Sequence, residues 1–407
     1  MSRIVLGVAG GIAAYKACEV LRRLSESGHT VTVVPTPNAL QFVGETTWAA
    51  LSGRAVATSV FENITEVPHV RLGQQADLVV VAPATADVLA RAATGRADDL
   101  LTNVLLTATC PVLMVPAMHT EMWLHPATQA NVATLRERGV LVMDPADGRL
   151  TGADSGPGRL PEAYDIVAVA ASVLGDETTA DAVRARDLAG LHVVVSAGGT
   201  HEALDPVRFL GNSSSGLQGI ALARAASLRG ARVTLVAGNV VQPLPSGCTV
   251  VPVTSTADLA EAMLALRAEA DAIVMAAAPA DFTPVAPADG KIKKDGTGGL
   301  VLELRQTTDV LATLSADRPR EQVIVGFAAE TAADEADLLR LGQEKLARKG
   351  CDLLVLNDVS GGAVFGRPDN TVTIIDAGGV VGAASGDKSA IAHRIWDAVV
   401  ATKEEAK

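Results

Sequence analysis

Tyrosine and tryptophan are nearly missing from this sequence, with two and three copies among 407 residues, and all aromatics together reach only 3%. Burial must therefore rest on Ala, Val and Leu. Basic charge is also short: 34 Lys and Arg face 46 Asp and Glu, a formal net charge of −12. General nucleic-acid binding needs a basic surface to displace counterions, so no nucleic-acid partner is expected. An anionic ligand must then be held by a local basic cluster. Cysteine is rare, and Cys18, Cys110, Cys248 and Cys351 show neither pairing nor metal spacing. They read as small buried apolar residues of a reducing cytosol. No apolar run approaches the roughly 18 residues of a membrane span. The opening MSRIVLGVAGG lacks the longer apolar core and cleavage site of a secretory signal, so a cytoplasmic location is expected.

Two nucleotide signatures are absent as well. G-x-x-x-x-G-K-[ST] occurs nowhere, which excludes a P-loop enzyme. No G-x-G-x-x-G follows the first strand, and the second strand leads into Pro35 rather than an acidic residue. Both absences argue against a rival reading as a nicotinamide-dependent reductase.

What is present is a globular composition, 48% hydrophobic and 20% charged, on a chain long enough for two or three domains. Continuous apolar runs at Ile4–Val8, Thr30–Val34, Leu78–Ala82, Val112–Val115 and Leu141–Met143 alternate with amphipathic stretches. Runs of this kind, unalternating and separated by helices, predict a parallel sheet covered on both faces. Gly10-Gly11 opens a predicted helix with Ala13, Ala17, Leu21 and Leu24 on one face, closing at Gly28. The polar stretch GDETTADAVRARDLAG, residues 175–190, reads as a linker with some helix. Strand-like runs restart at Val193–Val195, Val233–Val236, Ile273–Ala276, Val323–Val325 and Leu353–Leu356, with a helix near Leu217–Leu228. The expected fold class is α/β: two doubly wound domains with mainly parallel sheets, at 1–175 and 191–407, joined by 176–190.

The chemistry-bearing residues cluster at predicted strand ends, where open α/β sheets bind ligands. GVAGGIAAYK puts glycines between a strand and a helix, a turn that admits a phosphate. Thr36, Ala84 and Thr85 end the next two strands. His69 precedes the third strand in VPHVRLGQQAD, PAMHTEMWLHP follows the fourth, and GRLTGADSGPGR is too rich in glycine for helix or strand. A packed loop edge and a surface loop account for the last two as readily as a flap over a site. In the second half, the long polar loop SAGGTHEALDPVRFLGNSSSG precedes a helix, and its serines suit capping. Lys291, Lys293 and Lys294 stand in a Pro/Gly-rich segment and read either as solvated decoration or as a clamp for triphosphate. Asp281 follows a strand and suits ribose or metal. Phe327 ends another strand with a ring able to stack on a base, and Lys345 and Lys349 share a helix face.

Taken in order, GGIAAYK, a His before the middle strand, APATA, PAM-x-x-x-MW and a late G-x-G-R flap resemble the homo-oligomeric flavin-containing cysteine decarboxylases. DPVRFLGNSSSG, ADF with KIKK, and GFAAET resemble the ligase half of the bacterial family in which such a decarboxylase of phosphopantothenoylcysteine is fused to phosphopantothenate–cysteine ligase. The resemblance covers nearly the whole chain and implies a flavoprotein-like first domain, a Rossmann-like second domain and a role in coenzyme A biosynthesis. It implies FMN against Gly10, Gly11, Thr36, Ala84 and Thr85, with His69 as the base that assists thiol oxidation. It implies CTP, expected with Mg²⁺, against Asp281, Lys291, Lys293, Lys294, Thr308, Asp309, Val310, Leu311, Phe327, Lys345 and Lys349. Asn212 would act on the acyl-cytidylate formed from phosphopantothenate before cysteine displaces CMP. The implied assembly is a dodecamer of decarboxylase trimers and ligase dimers, with the flavin at subunit contacts.

The sequence departs from the family pattern at three positions. His119 stands where the family has Asn, Gly152 where many relatives carry a flap Cys, and Thr308 where Pro is usual. Asp154 is the nearest acid to replace the missing thiol. A non-catalytic flavin-binding regulator is the remaining alternative, since this fold also serves as a binding module. His69 and a complete ligase half argue against it.

Overall fold

The computed structural model describes residues 1–59, 67–150, 152, 154–293, 300–358 and 369–405. They divide into two compact units, Met1–Ala185 and Arg186–Lys407.

In the first unit, β1 (Arg3–Val8), β2 (Thr30–Pro35), β3 (Leu78–Ala84), β4 (Val112–Pro116) and β5 (Leu141–Val142) form a parallel sheet in the order β2-β1-β3-β4-β5. All seven residues of β3 are buried, as a strand covered on both faces requires. The order reverses at β1, which runs out to β2 on one side and to β3 on the other, so a crevice opens at the carboxyl ends of β1 and β3. After β1 the chain first makes a 3-10 helix, Ile12–Lys16, and only then the α-helix Ala17–Glu26. Its tighter winding repeats every three residues, so Ala14 rather than the expected Ala13 shares the buried face with Ala17. A two-stranded antiparallel hairpin, β6 (Ala146–Arg149) and β7 (Ser155–Arg159), occupies the glycine-rich segment. Within the polar stretch 175–190, Glu177–Ala185 form a helix with Thr179, Ala180 and Val183 buried.

The second unit begins with β8 (His192–Gly198) and a small antiparallel pair, β9 (Glu202–Ala203) and β10 (Phe209–Leu210). Then come β11 (Arg232–Gly238), β12 (Cys248–Val253) and β13 (Ala272–Met275). A second antiparallel pair, β14 (Phe282–Pro284) and β15 (Leu304–Gln306), closes the root of an arm. β16 (Val323–Glu330), β17 (Leu353–Asp358), β18 (Asp369–Asp376) and β19 (Gly379–Asp387) follow. The main sheet runs β12-β11-β8-β13-β16-β17-β18-β19. Its first six strands are parallel, and its order reverses beside β8, giving a second crevice between β8 and β13. The last two strands are antiparallel and were not expected.

The final helix, Lys388–Glu405, buries Trp396, whose Nε1 donates to Leu222 O at 2.9 Å. Arg229 beside it is fully buried, and its guanidinium is taken up by Asp187, Asp397 and the His393 carbonyl.

Candidate functional site

The first crevice collects the residues expected to meet a flavin. Ala9 N donates to Pro83 O and Thr36 N to Val8 O, which ties the ends of β1, β2 and β3 together. A Cβ on Gly10 would stand 2.4 Å from Asn38 Cβ and 2.8 Å from its backbone carbon, so only glycine admits the Thr36–Asn38 turn this close. On Gly11 the same atom would meet nothing nearer than Thr85 Cγ2, at 3.6 Å. Gly11 and Thr85 are therefore neighbours across the crevice with open backbone between them. Thr85 caps helix Ala86–Thr94 by accepting from Val88 N at 3.4 Å. Ala84 and Thr36 are buried beneath. Ile12, Tyr15 and Phe42 near the crevice are exposed large apolar side chains.

The turn after β4 and the hairpin β6–β7 are bound to each other. Met118 N donates to Gly158 O at 2.9 Å, and a Cβ on Gly158 would lie 2.3 Å from Met118 O. This docking brings together two residues that are 35 apart in sequence: His119 Nδ1 stands 3.1 Å from Asp154 Oδ2, with the two side chains 54% and 45% exposed. The Gly152 N–H, which reaches Asp154 Oδ1 at 3.0 Å, and then the His119 ring hold the Asp154 carboxyl below its ordinary value. Asp154 is thus ionised near neutrality and acts as an acceptor toward the imidazole.

His69 is not among these residues. It lies at the start of helix Pro68–Gln75, where its carbonyl accepts from Thr107 Oγ1 at 2.8 Å on helix Leu100–Thr107. Its Nδ1 is buried with no hydrogen-bond partner among the described residues.

The second crevice holds a cavity of about 580 Å³. Asn212, Asp281, Thr308, Asp309, Val310, Leu311, Phe327, Lys345 and Lys349, all singled out from the sequence, line it. Asn212 Nδ2 donates to Pro279 O at 2.8 Å, which fixes its side-chain amide at the cavity wall. Asp309 caps helix Val310–Ala316 and pairs with Lys349 Nζ. Burial pushes the Asp309 carboxyl up, but Lys349 and the Ala312 N–H outweigh it and leave it below its ordinary value. Lys345 is paired with Glu330 at 2.8 Å. Both lysines therefore carry acidic partners that an incoming anion must displace.

Lys291 and Lys293 are exposed and stand on the β14–β15 arm rather than in this lining. Lys294 lies outside the described residues. The cavity also recruits Gln218, Asn357, Asn370 and Lys388, which sequence reasoning missed. Asn357 was readable, since it ends β17 at the carboxyl edge. Asn370 and Lys388 come from the unexpected antiparallel end of the sheet, and no local pattern marks them. Among the described residues, no three His, Cys, Asp or Glu side chains group as metal ligands.

Two family models match the chain: "Flavoprotein" over residues 1–175 and "DNA/pantothenate metabolism flavoprotein C-terminal domain" over residues 188–402. The "Coenzyme A biosynthesis bifunctional protein CoaBC" of Mycobacterium tuberculosis (strain ATCC 25618 / H37Rv) is 55% identical over 405 residues, covering 98% of this chain and 96% of the relative. Its namesake in Bacillus subtilis (strain 168) is 44% identical over 375 residues, 91% of this chain and 89% of that one. A solved structure of the C-terminal domain of such a protein is 30% identical, with a TM-score of 0.45, and covers 54% of this chain and 99% of that one.

Proposed function

This chain belongs to the bifunctional coenzyme A biosynthesis proteins, and from that premise we propose how its two halves divide the work. The second half condenses 4'-phosphopantothenate with cysteine at the expense of CTP. The first half decarboxylates the resulting 4'-phosphopantothenoylcysteine to 4'-phosphopantetheine with FMN. What supports this reading is that Gly10, Gly11, Thr36, Ala84 and Thr85 gather at one crevice and that Asn212, Asp281, Phe327, Lys345 and Lys349 line another, each where a sheet order reverses.

In the ligase half a carboxylate must first become a good electrophile. The phosphopantothenate carboxylate attacks the α-phosphorus of CTP and pyrophosphate leaves. The cysteine amine then attacks the acyl carbon and CMP leaves. Phe327 stacks on the base, Asp281 holds the ribose, and Lys345 and Lys349 neutralise phosphate oxygens once released by Glu330 and Asp309. Lys291 and Lys293 approach from the arm, and Thr308–Leu311 present helix N–H groups. Asn212, fixed by Pro279 O, orients the acyl oxygen. Mg²⁺ would ride on the triphosphate. The described residues offer it no cluster of three His, Cys, Asp or Glu ligands.

In the decarboxylase half the open backbone at Gly11 and the hydroxyls of Thr36 and Thr85 suit a flavin phosphate and ring. When bound, FMN supplies a two-electron acceptor for the substrate thiol and returns the electrons at the end. His69 takes the thiol proton; an imidazole is the residue type for that task near neutrality. His119 holds the substrate carboxylate. With Asp154 ionised at its Nδ1, the imidazole is the member of that pair able to return a proton after CO₂ has left. Ile12, Tyr15 and Phe42 leave large apolar side chains exposed near the crevice, a surface that a second subunit would cover. This supports a homo-oligomer, for which we propose trimers and dimers building a dodecamer. Among the described residues no helix is long and apolar enough to cross a membrane, which is in keeping with a cytoplasmic enzyme.

The test is direct. The purified protein should be yellow, and with phosphopantothenate, cysteine and CTP it should release pyrophosphate, CMP and CO₂. A colourless protein that flavin cannot reconstitute, and whose melting ignores CTP, sinks the reading.

A further inference from the structure

The arm that carries Lys291 and Lys293 leaves β14 and returns to β15, and Val285 N pairs with Glu303 O at its root. Beyond that root, among the described residues, Asp205 and Arg208 hold it by their side chains. Asp205, in the turn between β9 and β10, has no exposed side-chain surface. Its Oδ1 accepts from Val207 N and Arg208 N, both at 2.8 Å, which shapes its own turn. Its Oδ2 accepts from Ile292 N at 3.1 Å and from the Arg208 guanidinium at 3.2 Å. Arg208 in turn donates to Ile292 O at 3.2 Å, so both polar groups of the Ile292 main chain are gripped. Nearer the root, Ala288 N donates to Leu204 O at 2.9 Å. Ile292 is the residue between the two lysines. Burial alone would push the Asp205 carboxyl up, but the N–H groups of Val207, Ile292 and Arg208 outweigh it and keep it below its ordinary value.

We propose that Asp205 is a positioning residue for the ligase half: its Oδ2 braces the arm at Ile292 and so sets where Lys291 and Lys293 meet the nucleotide. An ammonium on a four-carbon stem is a mobile point charge, and a main chain fixed between two of them removes much of that freedom before CTP arrives. This rests on the reading of the arm as a triphosphate contact.

The two carboxylate oxygens make the idea separable from a plain folding role. In D205N the amide oxygen can still serve the backbone N–H groups of Val207 and Arg208, while the amide nitrogen would face the Ile292 N–H and the Arg208 guanidinium donor to donor and loosen the arm. Steady-state kinetics of the full chain should compare wild type, D205N, K291A/K293A and the triple variant. D205N is expected to raise the KM for CTP about tenfold, as one lost charge-assisted hydrogen bond would. The KM for cysteine should not move, the melting midpoint should fall only modestly as buried donors lose their acceptor, and D205N should raise the KM for CTP no further when both lysines are gone. The brace is overturned if D205N leaves the KM for CTP in place, or multiplies it equally with and without the lysines. A lowered melting midpoint with every kinetic constant degraded together also overturns it. An unchanged KM for CTP in K291A/K293A sinks the triphosphate reading of the arm, and the brace with it.

Discussion

Asp309 caps a helix and pairs with Lys349, and these two contributions can be separated because Asn caps as well as Asp does. The folded carboxyl is held below the ordinary value of 3.8, so the ion pair adds stability that is complete above that pH. It is lost as pH falls through the depressed folded value. The pair is part-exposed, Asp309 at 48%, which limits the gain to about 0.5 kcal/mol. D309N should therefore melt slightly below wild type at neutral pH, with the gap closing in acid. Thermal melts across pH check this, and a gap that persists at pH well below 3.8 would refute it. At this scale the sequence exposed types of residue but not their partners. His119 was legible as a departure from a pattern and Asp154 as the acid nearest to another departure at Gly152, yet nothing local joined the two across 35 residues. Lys349 was legible as a cation, while the acid that holds it sits 40 residues earlier.

Among the elements, the hairpin β6–β7 shows why glycine-rich segments resist reading. Residues 148–159 lack the alternating apolar pattern of strands, so a loop or flap was the natural expectation. The strands nonetheless pair through their backbones, and extended glycines let the hairpin lie directly on the turn after β4. Gly158, at φ +147° and against Met118 O, is the contact that fixes the distance. Gly158→Ala should push the hairpin off His119 and lower CO₂ release by about tenfold or more, since small misplacements at a reacting centre are costly. CMP release should be unchanged. A decarboxylation assay run beside a ligase assay decides it, and equal activity in both would show that the hairpin position is irrelevant. Regular elements fared differently. Apolar runs such as Leu78–Ala82 and the face Ala17, Leu21 and Leu24 of helix Ala17–Glu26 were readable because burial on both sheet faces, or on one helix face, forces a pattern on the sequence.

For the whole molecule, two folding units with separate crevices imply separable activities. His69→Asn should abolish CO₂ release, by about a hundredfold or more for a lost general base, while pyrophosphate and CMP release continue at the wild-type rate and the protein stays yellow. Product analysis would then show phosphopantothenoylcysteine accumulating. Continued CO₂ release would show that decarboxylation does not need His69 and would strike its role as the base.

The α/β class, the doubly wound sheets and the strand ends bearing Gly10 and Thr36 were determined by the sequence alone, whereas Phe327, expected to end a strand, sits inside β16 because that strand runs on to Glu330. Parallel sheets leave unmistakable apolar runs, and ligands bind where those runs stop. Only the tertiary structure decided the strand orders that open each crevice at β1 and β8, the docking of Gly158 on Met118, and the brace from Asp205 to Ile292. Each of these depends on backbone groups meeting across long stretches of chain. A backbone N–H or carbonyl is the same at every residue, so the sequence carries no mark of which ones will meet.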